Sequence, residues 1–122
     1  SKNIKSEKRV VKNDIERRGD EAMYNLITVI VDKGRAEEVI DAANKAGAKG
    51  GTIINARGSG IHESGKILSM EIEPEKEIVM ILSESDTTEN IISAIKDAIK
   101  INEPGNGILF VQDVNRTYGI YR

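Results

Sequence analysis

The spacing of apolar residues alternates between two periods along this chain, and that alternation narrows the fold more than any other feature. Leu26-Ile27-Thr28-Val29-Ile30-Val31 is a run of consecutive, mostly β-branched residues, too short and too uniformly apolar for a surface helix, and it reads as a central strand. After a turn at Asp32-Lys33-Gly34, Ala36, Val39, Ile40, Ala43 and Ala46 recur three and four residues apart. Glu37, Glu38, Asp41 and Lys45 lie between them, which gives the stripe of an amphipathic helix. Gly47 stands where such a helix needs a left-handed residue to close. Thr52-Ile53-Ile54-Asn55-Ala56 predicts a second strand, and residues 58–67 carry loop signals. The third strand lies within residues 68–83, with Ile78-Val79-Met80-Ile81-Leu82 as its buried part and Glu73-Pro74-Glu75-Lys76 as an edge or turn. Asp86 and Glu89 have capping-box spacing ahead of a second helical stripe, Ile91, Ile92, Ile95, Ala98 and Ile99, which must end before Pro104. Ile108-Leu109-Phe110-Val111 is the fourth strand, and residues 114–122 form a short tail.

With short connections and right-handed crossovers, the order βαββαβ folds into a ferredoxin-like α+β sandwich: a four-stranded antiparallel sheet with two helices on one face. The strands are apolar at consecutive positions, so both faces of the sheet call for burial while helices cover only one. Soluble monomers seldom expose so large an apolar face, and self-association is the simplest remedy. On this reading an acidic substitution at Ile81 breaks the assembly.

At 122 residues the chain suits a single core. It has no cysteine and one histidine, which leaves no disulfide, no thiolate zinc site and no expected metal centre. No apolar run approaches the roughly 20 residues of a membrane span, and the first residues lack the apolar segment of a signal peptide. The expectation is a cytoplasmic protein without membrane insertion. Charge is uneven: residues 1–18 carry seven Lys/Arg against three Asp/Glu, a local +4, which leaves −6 for the remainder. This predicts a basic N-terminal arm, residues 1–22, ahead of a domain at residues 23–122. Such an arm is usually a solvated leader; otherwise it docks on an acidic partner, lipid head groups or nucleic acid.

Two glycine-centred segments carry the functional signal: Gly50-Gly51-Thr52-Ile53-Ile54-Asn55-Ala56-Arg57-Gly58-Ser59-Gly60 and Gly105-Asn106-Gly107-Ile108-Leu109-Phe110-Val111. Glycines beside a strand let backbone amides approach a phosphate or another chain. Either segment alone is equally ordinary turn chemistry.

Taken in order, several segments resemble the P-II family over about residues 25–120. These are the helix after Asp32-Lys33-Gly34, the run from Ala48-Lys49-Gly50-Gly51-Thr52 to Arg57-Gly58-Ser59-Gly60, the Pro74-Glu75-Lys76-Glu77-Ile78-Val79 strand, and Gly105-Asn106-Gly107. More narrowly they resemble its P-II-like branch, with a shortened effector loop. The resemblance implies a homotrimer whose sheets pack into a central barrel. It also implies adenine nucleotides bound in clefts between subunits, and a loop that regulates a membrane transporter or a metabolic enzyme without chemistry of its own. It places Gly58, Ser59 and Gly60 on the loop-base glycine motif with Arg57 beside them, Gly105, Asn106 and Gly107 on a second phosphate-side motif, and Thr52 near the adenine of the neighbouring site. The effector is then ATP, ADP or AMP, with no cofactor held tightly, and the effector loop is Ile61, His62, Glu63, Ser64, Gly65 and Lys66.

The chain departs from that pattern where charge is needed. Ile108 stands where a lysine usually follows the second motif, Gly119 and Tyr121 stand where two arginines are expected, and His62 replaces a glutamine that helps bind 2-oxoglutarate and magnesium. Three charge-assisted contacts of about 1.5–3 kcal/mol each are thereby missing, enough to erase triphosphate affinity. Arg57, Arg116 or Arg122 are the available substitutes, and a ligand with fewer phosphates or another small anion competes with ATP.

Three other readings stand beside this one. A trimeric scaffold that has lost its ligand keeps every packing residue. A small phosphate-handling enzyme on the same fold needs an Arg and a water-orienting Asn, which Asn55, Arg57 and Asn106 supply by type but not by spacing, and no nucleophile–base pair is present. A sheet-based RNA-binding module needs stacking aromatics, and only Phe110 falls in a predicted strand. No specific nucleic-acid partner is expected.

Overall fold

The computed structural model describes residues 23–59, 65–67 and 70–121; the basic arm at residues 1–22 lies outside the described residues. Among the described residues six strands and two helices follow in the order β1 (Tyr24–Asp32), α1 (Ala36–Lys45), β2 (Thr52–Arg57), β3 (Gly65–Ile67), β4 (Met70–Ile72), β5 (Glu75–Glu84), α2 (Ser85–Ile99) and β6 (Ile108–Val114). Strands β2, β5, β1 and β6 form, in that lateral order, a four-stranded sheet in which every pair is antiparallel. This is the βαββαβ sandwich read from the sequence, with β1 and β5 at its centre.

The strand register decides which face each residue occupies. Ile27 pairs with Ile81 and Val29 with Val79, and these four residues, with Val31, are fully buried beneath the helices. From above, Ala36, Val39 and Ala43 of α1 and Ile91, Ile95 and Ile99 of α2 complete the same core. The other face carries Leu26, Ile30, Ile78 and Met80, half-buried, together with Ile54, Leu82, Ile108 and Phe110, each at least two-fifths exposed. This face is open and apolar, as the consecutive apolar positions require. Ile81, however, lies beneath the helices and not on the open face. Because every position in residues 78–82 is apolar, side-chain period alone cannot assign faces; only pairing to β1 does, and it gives Leu82 the outward role.

The helix ends follow local rules in one case and tertiary contacts in the other. At the end of α1, Gly47 has φ +112°, the Ala48 N–H donates to Ala43 O at 2.9 Å and the Gly47 N–H to Asn44 O at 3.2 Å, a Schellman closure at the expected residue. The capping box expected from Asp86 and Glu89 does not form. Strand β5 runs straight into α2, Glu84 takes the cap position with no side-chain bond, and Asp86 falls inside the first turn. Thr87 donates to Glu84 O at 3.0 Å. The Thr88 hydroxyl lies 2.7 Å from Ser83 Oγ, 2.8 Å from Asn25 Oδ1 and 3.0 Å from Glu84 O. With one proton it donates to one of the last two and accepts from Ser83. Asn25 in turn donates to Asp113 at 2.9 Å, so this polar chain joins α2 to β5, β1 and β6.

Residues 65–67, expected within a loop, instead form β3, which pairs with β4 in a separate two-stranded hairpin, Gly65 opposite Ile72 and Ile67 opposite Met70. The expected third strand is thereby divided. Between β4 and β5 the break spans Glu73 and Pro74, Glu75 and Lys76 already belong to β5, and the Gly58 N–H donates to Pro74 O at 3.1 Å. The fourth strand runs on to Val114. Among the described residues no helix is long and apolar enough to cross a membrane.

Candidate ligand-binding site

Both glycine motifs emerge at the same end of the sheet. Arg57, the last residue of β2, pairs with Glu75 at the start of β5; Asp32, the last of β1, pairs with Lys76; and Ile108, the first of β6, pairs with Ile30. Gly58 and Ser59 therefore leave one edge of this end and residues 105–107 enter the other. Two strands separate β2 from β6, which puts the motifs roughly 14 Å apart. A single chain does not bring them together. Thr52 lies at the opposite end of β2, paired with Met80, roughly 20 Å along the strand from Gly58.

The motif glycines differ in what they do. A Cβ on Gly107, whose φ is +154°, would meet Ile30 O at 3.0 Å and Val31 and Ile99 side chains at 3.2 Å, so glycine is required there by packing. A Cβ on Gly58 would meet nothing within 4 Å, so the subunit itself places no demand on that position. Ser59 and Thr52 are exposed. Gly60 and loop residues Ile61, His62, Glu63 and Ser64 lie outside the described residues, whereas Gly65 and Lys66 belong to β3.

Arg57 borders an open cavity of about 320 Å³ with Lys33, Asn55, Ala56, Glu75 and Lys76. Its charges are partly matched within the chain. Lys33 Nζ donates to Glu75 Oε2 at 3.0 Å, and Lys76 Nζ, nine-tenths buried, donates to Asp32 Oδ1 at 2.6 Å. The Lys33 hydrogen bond, then its charge, with a smaller contribution from Arg57, holds the exposed Glu75 carboxyl below its ordinary value. Lys33 and Lys76 escape motif reading, because only strand pairing carries the β1 and β5 ends to Arg57. Their sequence signal is limited to a lysine just after one strand run and another two residues past Pro74.

The start of α1 at this end is already occupied. Glu77 Oε1 accepts from the Gly34 N–H at 2.7 Å and the Ala36 N–H at 3.1 Å, supplying the anion that a helix N-terminus favours. An external phosphate is therefore not drawn to this helix. Ile108, where the family resemblance leads one to expect a lysine, is 59% exposed beside Gly107 and presents an uncharged surface there. Ile120 and Tyr121 instead line a second cavity, of about 240 Å³, with Tyr24, Ala48, Lys49 and Leu82, at the sheet end away from both motifs.

Residues 24–122 match the sequence profile of the family described as Nitrogen regulatory protein P-II. The chain is 31% identical over 96 residues to the nitrogen fixation nifHD region glnB-like protein 1 of Methanococcus maripaludis, covering 78% of this chain and 91% of that one. It is 28% identical over 98 residues to the corresponding protein of Methanothermococcus thermolithotrophicus, with the same coverage. The fold superimposes on B. subtilis GlnK, solved as an ATP complex, with a TM-score of 0.60 at 18% identity over 76% of this chain and 83% of that one. It also superimposes on Arabidopsis thaliana PII, solved bound to citrate, with a TM-score of 0.56 at 24% identity over 78% of each chain.

Proposed function

The chain belongs to the P-II family of nitrogen regulatory proteins, regulators without catalytic chemistry, and from that premise we propose that it works as a homotrimer binding a small anionic effector between subunits. The effector is an adenine nucleotide, and its binding is reported through residues 59–67 to a transporter or a metabolic enzyme.

The placement of the two motifs carries this reading: same end of the sheet, opposite edges, and two strands between them. A ring of identical subunits sets the β2 edge of one beside the β6 edge of the next and unites what one chain holds apart. The same ring buries the open face of Ile54, Leu82, Ile108 and Phe110. One subunit then supplies the Arg57-Gly58-Ser59 corner and Lys33, and its neighbour supplies the amides of residues 105–107. Lys33 and Lys76 are already paired with carboxylates, so the site's net positive charge is small, which favours fewer phosphates over a full triphosphate. Binding biases the loop only by the ligand's difference in affinity for its conformations.

Titration calorimetry with ATP, ADP and AMP, with and without magnesium, combined with sedimentation velocity tests both halves of the reading. The expected result is a trimer that binds one nucleotide per chain, with AMP or ADP at least as tight as ATP. A monomer overturns the intersubunit site. A trimer that binds none of the three favours the ligand-free scaffold, for which the uncharged rim at Ile108 speaks.

A further inference from the structure

The turn that precedes β6 is fastened to both helices. Beyond Ile99, Lys100 takes a left-handed conformation with φ 53°, and the Ile101 and Lys100 N–H groups donate to Lys96 O and Asp97 O at 3.1 and 3.3 Å. Of the carbonyls at this end, Lys100 O accepts from the Glu103 N–H at 3.0 Å, and Ile99 O is served by side chains. The Asn106 side-chain amide lies 2.9 Å from Ile99 O and 3.2 Å from Lys100 O, with Glu103 Oε2 a third acceptor at 3.3 Å. Arg35, at the start of α1, closes the arrangement from the other side. Its Nη2 lies 3.3 Å from Ile99 O, its Nη1 lies 3.4 Å from Asn106 O, and Glu38 holds the same guanidinium at 2.6 and 2.9 Å.

Hydrogen counting then takes the Asn106 side chain out of contact with the effector. A phosphate or carboxylate ligand only accepts, so the Asn106 side chain would have to offer it an N–H. Both amide hydrogens are spent on carbonyls and a carboxylate of its own chain, and the remaining amide oxygen repels an anion. We infer that Asn106 and Arg35 are positioning residues. Together they latch residues 105–107 to the end of α2 and the start of α1, fixing the backbone that meets the effector while their side chains make no contact with it. The link to the effector rests on the site proposed above; the latch itself is a property of the free subunit.

Hydrogen exchange on the ligand-free full chain, with Asn106→Ala and Arg35→Ala read peptide by peptide, tests the latch directly. Exchange across residues 100–107 should rise about tenfold in each variant, the scale of losing one or two net hydrogen bonds, while the central strand β1 stays protected. Arg35→Lys, which keeps the charge but not the fork, should behave like Arg35→Ala. Calorimetry on the same variants should show affinity for ATP, ADP and AMP falling by a common factor, because no phosphate contact is lost. Unchanged exchange at residues 100–107, acceleration equal to that of β1, or an affinity loss that grows with phosphate number overturns the inference. A wild-type chain that binds none of the three nucleotides defeats only the effector reading, and the exchange result still decides the latch.

Discussion

Ile81 and Leu82 are neighbours in β5 on opposite faces of the sheet, and an aspartate at each should fail in a different way. Ile81 is fully buried beneath the helices. Replacing it forfeits roughly 2–5 kcal/mol of packing and adds several more for an unpaired buried carboxylate, against a total stability of about 5–15 kcal/mol. Ile81→Asp should therefore yield an unfolded chain. Leu82 is 40% exposed in the subunit, so its carboxylate replacement reaches water and costs the subunit only about 1–2 kcal/mol, the three-fifths of the leucine already covered. In the proposed trimer the remaining two-fifths would be buried. Losing that contact three times costs roughly 2–4 kcal/mol, and desolvating three carboxylates adds several kcal/mol each. Leu82→Asp should thus give a folded monomer with native far-ultraviolet dichroism and a cooperative melt, while sedimentation velocity shows the trimer gone. An assembled Leu82→Asp trimer at micromolar concentration, or a Leu82→Asp chain as unfolded as Ile81→Asp, refutes the assignment of faces.

Three further outcomes follow from single contacts. Gly58→Val should leave the melting temperature and assembly unchanged, since a Cβ added there meets nothing within 4 Å, yet abolish nucleotide binding in calorimetry; unchanged affinity removes Gly58 from the site. Gly107→Ala should cost about 1–3 kcal/mol in denaturant unfolding, because the added carbon sits 3.0 Å from Ile30 O at a φ suited to glycine, and a neutral result would contradict the packing described. Glu75 titrates below its ordinary value because of Lys33, so its contribution to stability is present above the unfolded carboxylate's pKa and is lost as pH falls through the lower folded one. In Lys33→Ala, the Glu75 carboxyl resonance followed by NMR should move its midpoint up toward the ordinary value, with Arg57 holding back a small remainder; an unmoved midpoint would assign the shift to another partner.

Much of the architecture was legible because spacing alone separates strand from helix in this chain. The stripe from Ala36 to Ala46 could only be helical, and Gly47 marked its end by the conformation it permits. Faces are not legible where every position is apolar, which is why the sequence reading makes Ile81 an assembly residue although it belongs to the core. The capping-box signal at Asp86 and Glu89 was overridden because β5 enters α2 without a loop, leaving no free turn to cap. Strand β3 was hidden by a glycine-rich segment that reads as loop, although a short hairpin tolerates it. In the site, sequence order placed Arg57 and the glycines, but the roles within it depend on tertiary neighbours. Asn106 serves the end of α2, Glu77 fills the start of α1, and Lys33 and Lys76 reach Arg57 only through pairing of strands distant in the chain.

The central claim is that each site is divided between two subunits, and mixed assemblies test it most directly. Gly58→Val spoils the β2 edge, and Gly105→Asp, where aspartate tolerates the +82° φ and repels an anion, spoils the β6 edge. Each variant alone should bind no radiolabelled ATP, ADP or AMP. When the two are unfolded together, refolded and isolated as mixed trimers, about one cleft in three joins two intact edges, so binding should return to roughly a third of the wild-type stoichiometry at wild-type affinity. Mixed trimers that bind nothing, alongside a wild type that does bind, would show that each site lies within one subunit and contradict the account.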